Sequence, residues 1–204
     1  KELAASASKY GITIATEETY GAKDTDVTPQ LTKIRGVAGI QALVVFCGAG
    51  PSPAMAARGI AQLGIKHPVY MPPAAVNQEL IKLAGAPAEG IRMPTAAFVV
   101  IDALAEDDPS KKAGQEDYAS YKAAYGADAS PFGANAADAL MIAVDSLKRA
   151  GSTDKAKVRG AIEKTDGLVG LNGTFTMSAE DHNGLDLNDL RMVEVREGRF
   201  VLAK

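Results

Sequence analysis

QALVVFCGAGPSPAMAARGIAQLG, residues Gln41–Gly64, carries the reading of the fold. The apolar run through Leu43, Val44, Val45 and Phe46 reads as a buried strand. A glycine turn follows, with Gly48 and Gly50. A helix then begins behind Ser52 and Pro53, and proline suits a first helical turn. Strand, tight turn and helix make half of a β/α unit. In an open parallel sheet such a turn lies outside the carboxyl ends of the strands, where ligands sit. The helix start offers free N–H groups to an anion. Cys47 stands in the same turn, and a cysteine at such a place is a candidate nucleophile. The turn therefore poses a choice between catalysis and binding.

Outward from this stretch the same alternation repeats. KELAASASKY reads as a helix stopped at Gly11. ITIATEETY reads as a strand. DTDVTPQLTKIRG is a short helix with Thr28 as N-cap and Pro29 in the first turn, and Asp26 helps the cap. HPVYM is a short strand, VNQELIKLAG a helix ended by Gly85, and EGIRMPT another strand. Strands and helices joined by short connections predict an α/β fold with a parallel, doubly wound sheet. The second half changes character. VVIDALAEDDPSKKAG is acidic, then basic, and reads as a crossing or exposed loop. GQEDYASYKAAYG is a helix whose Tyr118, Tyr121 and Tyr125 share a face, the spacing of ordinary packing. NAADALMIAVDSLKRAG is a long helix stopped at Gly151. STDKAKVRGAIEKT is a helix capped by Ser152, Thr153 or Asp154. The end of the chain, from LNGTFTM onward, reads as a β-meander with turns at DHNG and EGR.

The totals exclude several classes. The 204 residues suffice for one large domain or two small ones. Apolar residues make up 47% of the chain, enough for a core without staples. The net charge of −3 is mixed along the sequence, with no basic stripe, so no nucleic-acid footprint is present. No apolar window reaches the roughly 20 residues of a membrane helix. The one cysteine excludes an intrachain disulfide but leaves the compartment open. These residues carry no signal-peptide pattern, and a leader outside them is expected for a secreted protein. The first residues lack an initiator Met and a clean cap, so a mature fragment opening inside a helix is expected.

A cysteine hydrolase needs a base within hydrogen-bond reach and a third group to orient it. The chain has two histidines. His67 precedes Pro68 at a strand start, away from the turn, and His182 sits in a hairpin turn. There is no G-x-S-x-G elbow. Cys47 is therefore read as a small buried thiol, and no enzyme is expected. Asp24, Asp26, Asp102, Asp107 and Asp108 lack a compact ligand pattern, and AEDHNG matches neither a zinc nor a calcium motif, so no metal is expected. The GAG of the turn lacks a third glycine and is interrupted by Pro51 and Pro53, so no dinucleotide cofactor is expected. A binding turn remains, beside the plainer reading of a bare β/α connection. Gly48 and Gly50 let the backbone approach a ligand, and N–H groups from Ser52 onward suit a carboxylate.

YGITIATEETYGAKDTDVTPQLTKIR, LVVFCGAGPSPAMAARGIAQLGIKHPVYMPP and LAGAPAEGI resemble type I periplasmic binding proteins of branched-chain amino acid ABC transporters. SPFGANAADALMIAVDSLKRAGSTDKAKVRGAIEKT and GLNGTFTMSAEDHNGLDLNDLRMVEV continue the resemblance to the end of the chain. The resemblance implies a two-lobed fold, each lobe a parallel sheet flanked by helices, with solute held in the cleft and the lobes closing about a hinge. It implies that residues 1–94 belong to the second lobe, that 95–166 cross to the first lobe as helices, and that 167–204 return as β-hairpins. An N-terminal segment, with the first lobe's sheet and the second lobe's opening strand, is then missing. The implied partners are a small-molecule ligand and an inner-membrane ABC permease, the implied location is the periplasm, and the implied state is a monomer. A receptor ectodomain of the same fold is the alternative of a different class.

Two departures from the family bear on the ligand. Amino-acid binders of this kind carry an aromatic residue in the turn after the strand and an acidic residue in the loop after the next strand. Here those positions are Ala49 and Pro73, and no acidic residue lies in Met71 to Val76. A third departure is Ala137, where the family carries Tyr, and it either widens the hinge side or changes packing. The expected ligand-binding residues are Cys47, Gly48, Ala49, Gly50, Pro51, Ser52, Pro72, Pro73 and Ala74. The expected ligand is an aromatic or hydrophobic carboxylate, with a branched-chain amino acid as the alternative.

Overall fold

The computed structural model describes residues 2–21 and 23–203. The elements run, in chain order, α1 (Glu2–Ser6), α2 (Thr28–Arg35), β1 (Leu43–Val44), α3 (Ser52–Gln62), β2 (Val69–Tyr70), α4 (Gln78–Ala84) and β3 (Arg92–Ala96). There follow α5 (Pro109–Tyr125), α6 (Pro131–Ala150), α7 (Lys155–Ile162), β4 (Leu168–Val169), β5 (Thr174–Phe175), β6 (Leu190–Arg196) and β7 (Arg199–Leu202). The strand order is β1-β2-β3-β6-β7, with β4 and β5 as a separate antiparallel pair. β1, β2 and β3 are parallel, with Leu43 opposite Val69, Val44 opposite Tyr70, and Tyr70 opposite Arg92. The α/β alternation and the parallel sheet are as the sequence predicts.

The chain forms two compact units. One is Lys1–Met93 with Glu194–Arg199, the other Pro94–Val193 with Phe200–Lys204. The first unit packs α3 and α4 with the sheet. Leu80 and Met93 are fully buried, each stabilising by about 1.5–3 kcal/mol relative to exposure. The alanine-rich sequence of α3 has a steric reason. Ala54, Ala56, Ala57, Gly59 and Ile60 are buried, and a Cβ on Gly59 would lie 2.8 Å from Leu31 of α2. Asn77 caps α4 by accepting the N–H of Leu80 at 3.1 Å. In the second unit α6 pairs with α7. The Arg149 guanidinium ties them by donating to Asp145 at 2.6 Å, to the Ala161 carbonyl at 2.6 Å and to Thr165 at 3.0 Å.

The structure corrects several local expectations. Residues 12–20 are not a strand. They carry a strand-like pattern but no ladder, and Ile12 and Ile14 are exposed. β1 is not buried on both faces. It lies at the sheet edge, so Leu43 is buried while Val44 is 50% and Phe46 67% exposed. Thr28 is the first helical residue rather than the cap, and the Asp26 carboxylate accepts its N–H at 2.8 Å. α3 begins at Ser52, with Pro51 at the cap. The acidic-basic stretch is no open loop. Ala97–Ala103 forms a 3-10 helix, and α5 already begins at Pro109, with Asp108 accepting the N–H of Ser110 at 3.0 Å. Lys111 is buried and donates to the Leu104 carbonyl and to Glu106. Of the three tyrosines only Tyr118 packs inward, beside Phe98; Tyr121 and Tyr125 are exposed. No continuous meander forms, because β4 and β5 pair apart from β6 and β7. The EGR turn does form a tight reversal, with Glu197 and Gly198 at φ 53° and 67°.

Candidate functional site

The parallel register fixes which parts of the expected site share a place. Val44 lies opposite Tyr70, so the segments after β1 and β2 leave the sheet at the same end of adjacent strands. The pairing continues one step, the Val45 N–H donating to the Tyr70 carbonyl at 2.9 Å. Beyond it the first segment carries Cys47, Gly48, Ala49, Gly50, Pro51 and Ser52. Gly50 adopts φ 92°, a conformation that glycine takes without strain. Among the described residues, the N–H groups of Gly48, Ala49, Gly50 and Ser52 donate to no protein acceptor. Ala49 is exposed, and Gly50 and Ser52 are half-buried.

The second segment turns sharply. Pro73–Ala75 is a single 3-10 turn, with the Ala75 N–H on the Pro72 carbonyl at 3.0 Å and the Val76 N–H on the Pro73 carbonyl at 3.0 Å. Asn77 fastens the turn by donating to the Ala74 carbonyl at 3.1 Å. Met71 and Ala75 point inward, Pro72 and Ala74 are half-buried, and Pro73 is exposed. The prolines remove two N–H groups, and the turn uses those of Ala75 and Val76. This wall is therefore apolar and offers few donors, whereas the first segment offers several.

Tyr20 is a member of this site that the sequence reading left out. Its hydroxyl lies 3.2 Å from the Ser52 Oγ and 3.4 Å from the Phe46 carbonyl, joining both ends of the turn. Burial raises its pKa, a hydrogen bond with Ser52 partly opposing the shift. The signal available in sequence was the polar turn that follows it. There the Gly21 N–H donates to Asp24 at 2.7 Å. Cys47 is held beside Tyr20, and burial pushes its thiol up to about 11, with the tyrosine hydroxyl pulling weakly the other way. The thiol is thus protonated at neutral pH and a poor nucleophile. His67 is exposed ahead of β2. His182 belongs to the other unit, where its Nε2 is 3.4 Å from Glu163. Among the described residues no cluster of three or more His, Cys, Asp or Glu is placed to hold a metal.

The second unit has its own concavity, about 270 Å³, lined by residues including Asp138, Ile142, Asn172 and Phe175. Asp138 is 3% exposed and accepts N–H bonds from Leu171 at 2.6 Å, Asn172 at 3.1 Å and the Asn172 amide at 2.8 Å. Burial raises its pKa, more than these bonds lower it. Its acceptor capacity goes to its own chain, so it holds the β4–β5 turn in place. Its signal in sequence was position, since it falls on the buried stripe of α6 between Ala134 and Ile142. Ala137, beside it, is partly buried against Phe98, Ala134 and Leu171, a packing role.

Comparison with known proteins agrees with this architecture. The sequence profile of a family described as periplasmic binding protein matches residues 1–199. Among solved structures, an extracellular ligand-binding receptor from Rhodopseudomonas palustris HaA2 aligns with a TM-score of 0.88 at 30% identity, over 98% of this chain and 57% of its own. A protein of Rhodopseudomonas palustris strain CGA009 aligns with a TM-score of 0.90 at 25% identity, over 100% and 58%. A putative branched-chain amino acid ABC transporter from Rhodospirillum rubrum aligns with a TM-score of 0.76 at 26% identity, over 96% and 54%. A comparison with curated proteins finds no match. The chain spans little more than half the length of these structural relatives. Family members are binding proteins or receptors rather than enzymes. With the profile running along almost all of the sequence and the sheet superposing on such proteins, the chain belongs to the periplasmic binding protein family.

Proposed function

We propose that the chain is part of the extracytoplasmic solute-binding component of an ABC importer, and that the first unit takes a small aromatic or hydrophobic carboxylate. One observation carries this reading. The N–H groups of Gly48, Ala49, Gly50 and Ser52, without acceptors among the described residues, stand at the same sheet end as an acid-free wall of Pro72, Pro73 and Ala74. The N–H groups and the Tyr20 hydroxyl suit a carboxylate. The prolines and alanines suit an apolar body. A free amino acid would add an ammonium, and no acidic residue lies in Met71–Val76 to pair with it. An unpaired buried charge costs on the order of several kcal/mol.

On this reading residues 1–94 belong to the second lobe, 95–166 cross to the first, and 167–204 return. Further polypeptide, of the length the relatives have, completes the first lobe and the other wall of the site. The whole protein works as a monomer in the periplasm and delivers its ligand to an inner-membrane permease. Two observations favour other readings. The Rhodospirillum rubrum relative favours a branched-chain amino acid as the solute. The Rhodopseudomonas palustris HaA2 relative, a ligand-binding receptor, favours a sensing role.

The test is a thermal-shift screen of the relative-length protein. Leucine, isoleucine and valine are compared with benzoate, hydroxybenzoates, phenylacetate and coumarate. A ligand of the native state at 100 times its Kd stabilises by about 2.7 kcal/mol. A shift with aromatic acids alone supports the reading. A shift with leucine overturns the solute class and leaves the binding role.

A further inference from the structure

The sequence contains two Asn-Gly pairs, Asn172–Gly173 and Asn183–Gly184. Glycine after asparagine leaves its own nitrogen unshielded, so the following amide can reach the asparagine side chain. The structure gives the two pairs opposite surroundings. Asn172 is 2% exposed. Its amide donates to Asn135 at 3.0 Å and to Asp138 at 2.8 Å, and its backbone N–H also goes to Asp138. Asn183 is exposed, and its side-chain amide has no protein partner among the described residues. Its backbone N–H donates to Asp181 at 2.9 Å. The Gly184 N–H has a single long contact, 3.4 Å, to the same carboxylate oxygen.

We infer that Asn183 is a site of spontaneous covalent modification in the folded chain, and that Asn172 is protected. The Gly184 backbone nitrogen bonds to Cγ of Asn183, the Cγ–Nδ2 bond breaks, and the nitrogen's proton leaves with the departing group as ammonia. Water then opens the resulting succinimide at either carbonyl, giving aspartate or isoaspartate. The step is intramolecular, so freedom of the side chain to reach the attack geometry decides its rate. Asn172 must first break two side-chain hydrogen bonds inside a buried turn; Asn183 breaks none. The product places a second carboxylate beside Asp181, in the loop whose Gly184 carbonyl accepts the Thr176 N–H at 2.8 Å. Isoaspartate also lengthens that loop's backbone by one carbon.

The test follows the folded chain through prolonged incubation at 37 °C and neutral pH. Cleavage after Lys164 and Arg191 places both asparagines in one peptide, so electron-transfer fragmentation compares them within the same molecule and distinguishes isoaspartate. A parallel sample in denaturant gives the intrinsic reactivity of each site. The expected result is conversion at Asn183 faster than at Asn172 by at least an order of magnitude in the folded chain, with similar rates in denaturant. Equal rates in the folded chain overturn the inference. So does an intact Asn183 in the folded chain when denatured chain converts at both sites. Asn183→Ser removes the reaction at its site and leaves the Asn172 rate unchanged.

Discussion

Ala49 belongs to the proposed site, whereas Asp138 serves the fold. Ala49 is exposed on a turn whose neighbouring N–H groups have no acceptor among the described residues, so on the proposed reading a larger side chain there meets the ligand's space before it meets the core. Ala49→Trp is expected to abolish carboxylate binding, read by calorimetry, with the melting temperature of the ligand-free protein unchanged. Unaltered affinity would remove the turn from the site. Asp138 faces three N–H donors with no solvent to relieve them. Asparagine there turns an amide toward those donors, and leaving a buried donor unpaired costs about 1–3 kcal/mol. Asp138→Asn is expected to lower stability by that amount in denaturant unfolding. The pH dependence has a definite sign. Burial raises the Asp138 pKa, so the folded chain holds this proton at pH values where the unfolded chain has lost it. Stability from this group is present at acid pH and falls as pH rises through the raised value. The deficit of Asp138→Asn should therefore narrow across the same interval. A deficit that widened would mean the three bonds outweigh burial.

At the scale of elements, the β6–β7 hairpin depends on a residue distant in sequence. Glu89 follows a short 3-10 turn, and its carboxylate accepts the N–H of Glu197 at 2.9 Å and of Gly198 at 2.8 Å. Both residues have positive φ, so their N–H groups converge and no strand partner can take them. Glu89→Ala is expected to cost about 1 kcal/mol, since the bonds are exposed. It should also speed hydrogen exchange selectively at Glu197 and Gly198. Unchanged exchange there would show that the turn holds itself. The tip was legible in the sequence as EGR, but its clasp was not, because a carboxylate in an APAEG stretch carries no pattern. Helices were the most legible elements, since glycine stops and caps are local: Gly11, Gly85 and Gly151 end helices as read. Strands were less so. Residues 12–20 have the pattern but lack a partner, and pairing is a property of two segments.

For the whole molecule, apolar surface is left open on both units. Ile12, Ile14, Val44 and Phe46 are exposed on the first, and Phe132, Leu140, Val144 and Leu147 on the second. Leu140, Val144 and Leu147 follow one another at four- and three-residue steps along α6, with Phe132 two turns ahead, a second apolar stripe besides the buried one. Exposed stripes of this kind ordinarily mark surfaces made to be covered. The chain spans little more than half of its relatives' length. The 204-residue chain is therefore expected to bind the dye ANS strongly in native conditions, and the relative-length protein weakly. Equal binding would count against additional polypeptide as the cover. The parallel α/β class was legible because β/α turns repeat along the sequence. The exposure of an unbroken run such as LVVF was not, because burial depends on neighbours that the run itself does not encode.

The division into units has one further consequence. The polypeptide passes between them three times, at Met93, Val193 and Arg199. Residues from near the chain's end thus complete the first unit, where the Val195 N–H donates to the Ile91 carbonyl at 3.0 Å and the Val195 carbonyl accepts from Gly90 at 2.9 Å. Genetically, the halves are interleaved. A gene piece stopping at Met93 encodes a sheet lacking a strand, and a single protease cut at Pro94 yields two fragments still knitted together by hydrogen bonds. Exchanging one unit between homologues thus takes three splice points, with the short return segment travelling alongside the unit it completes.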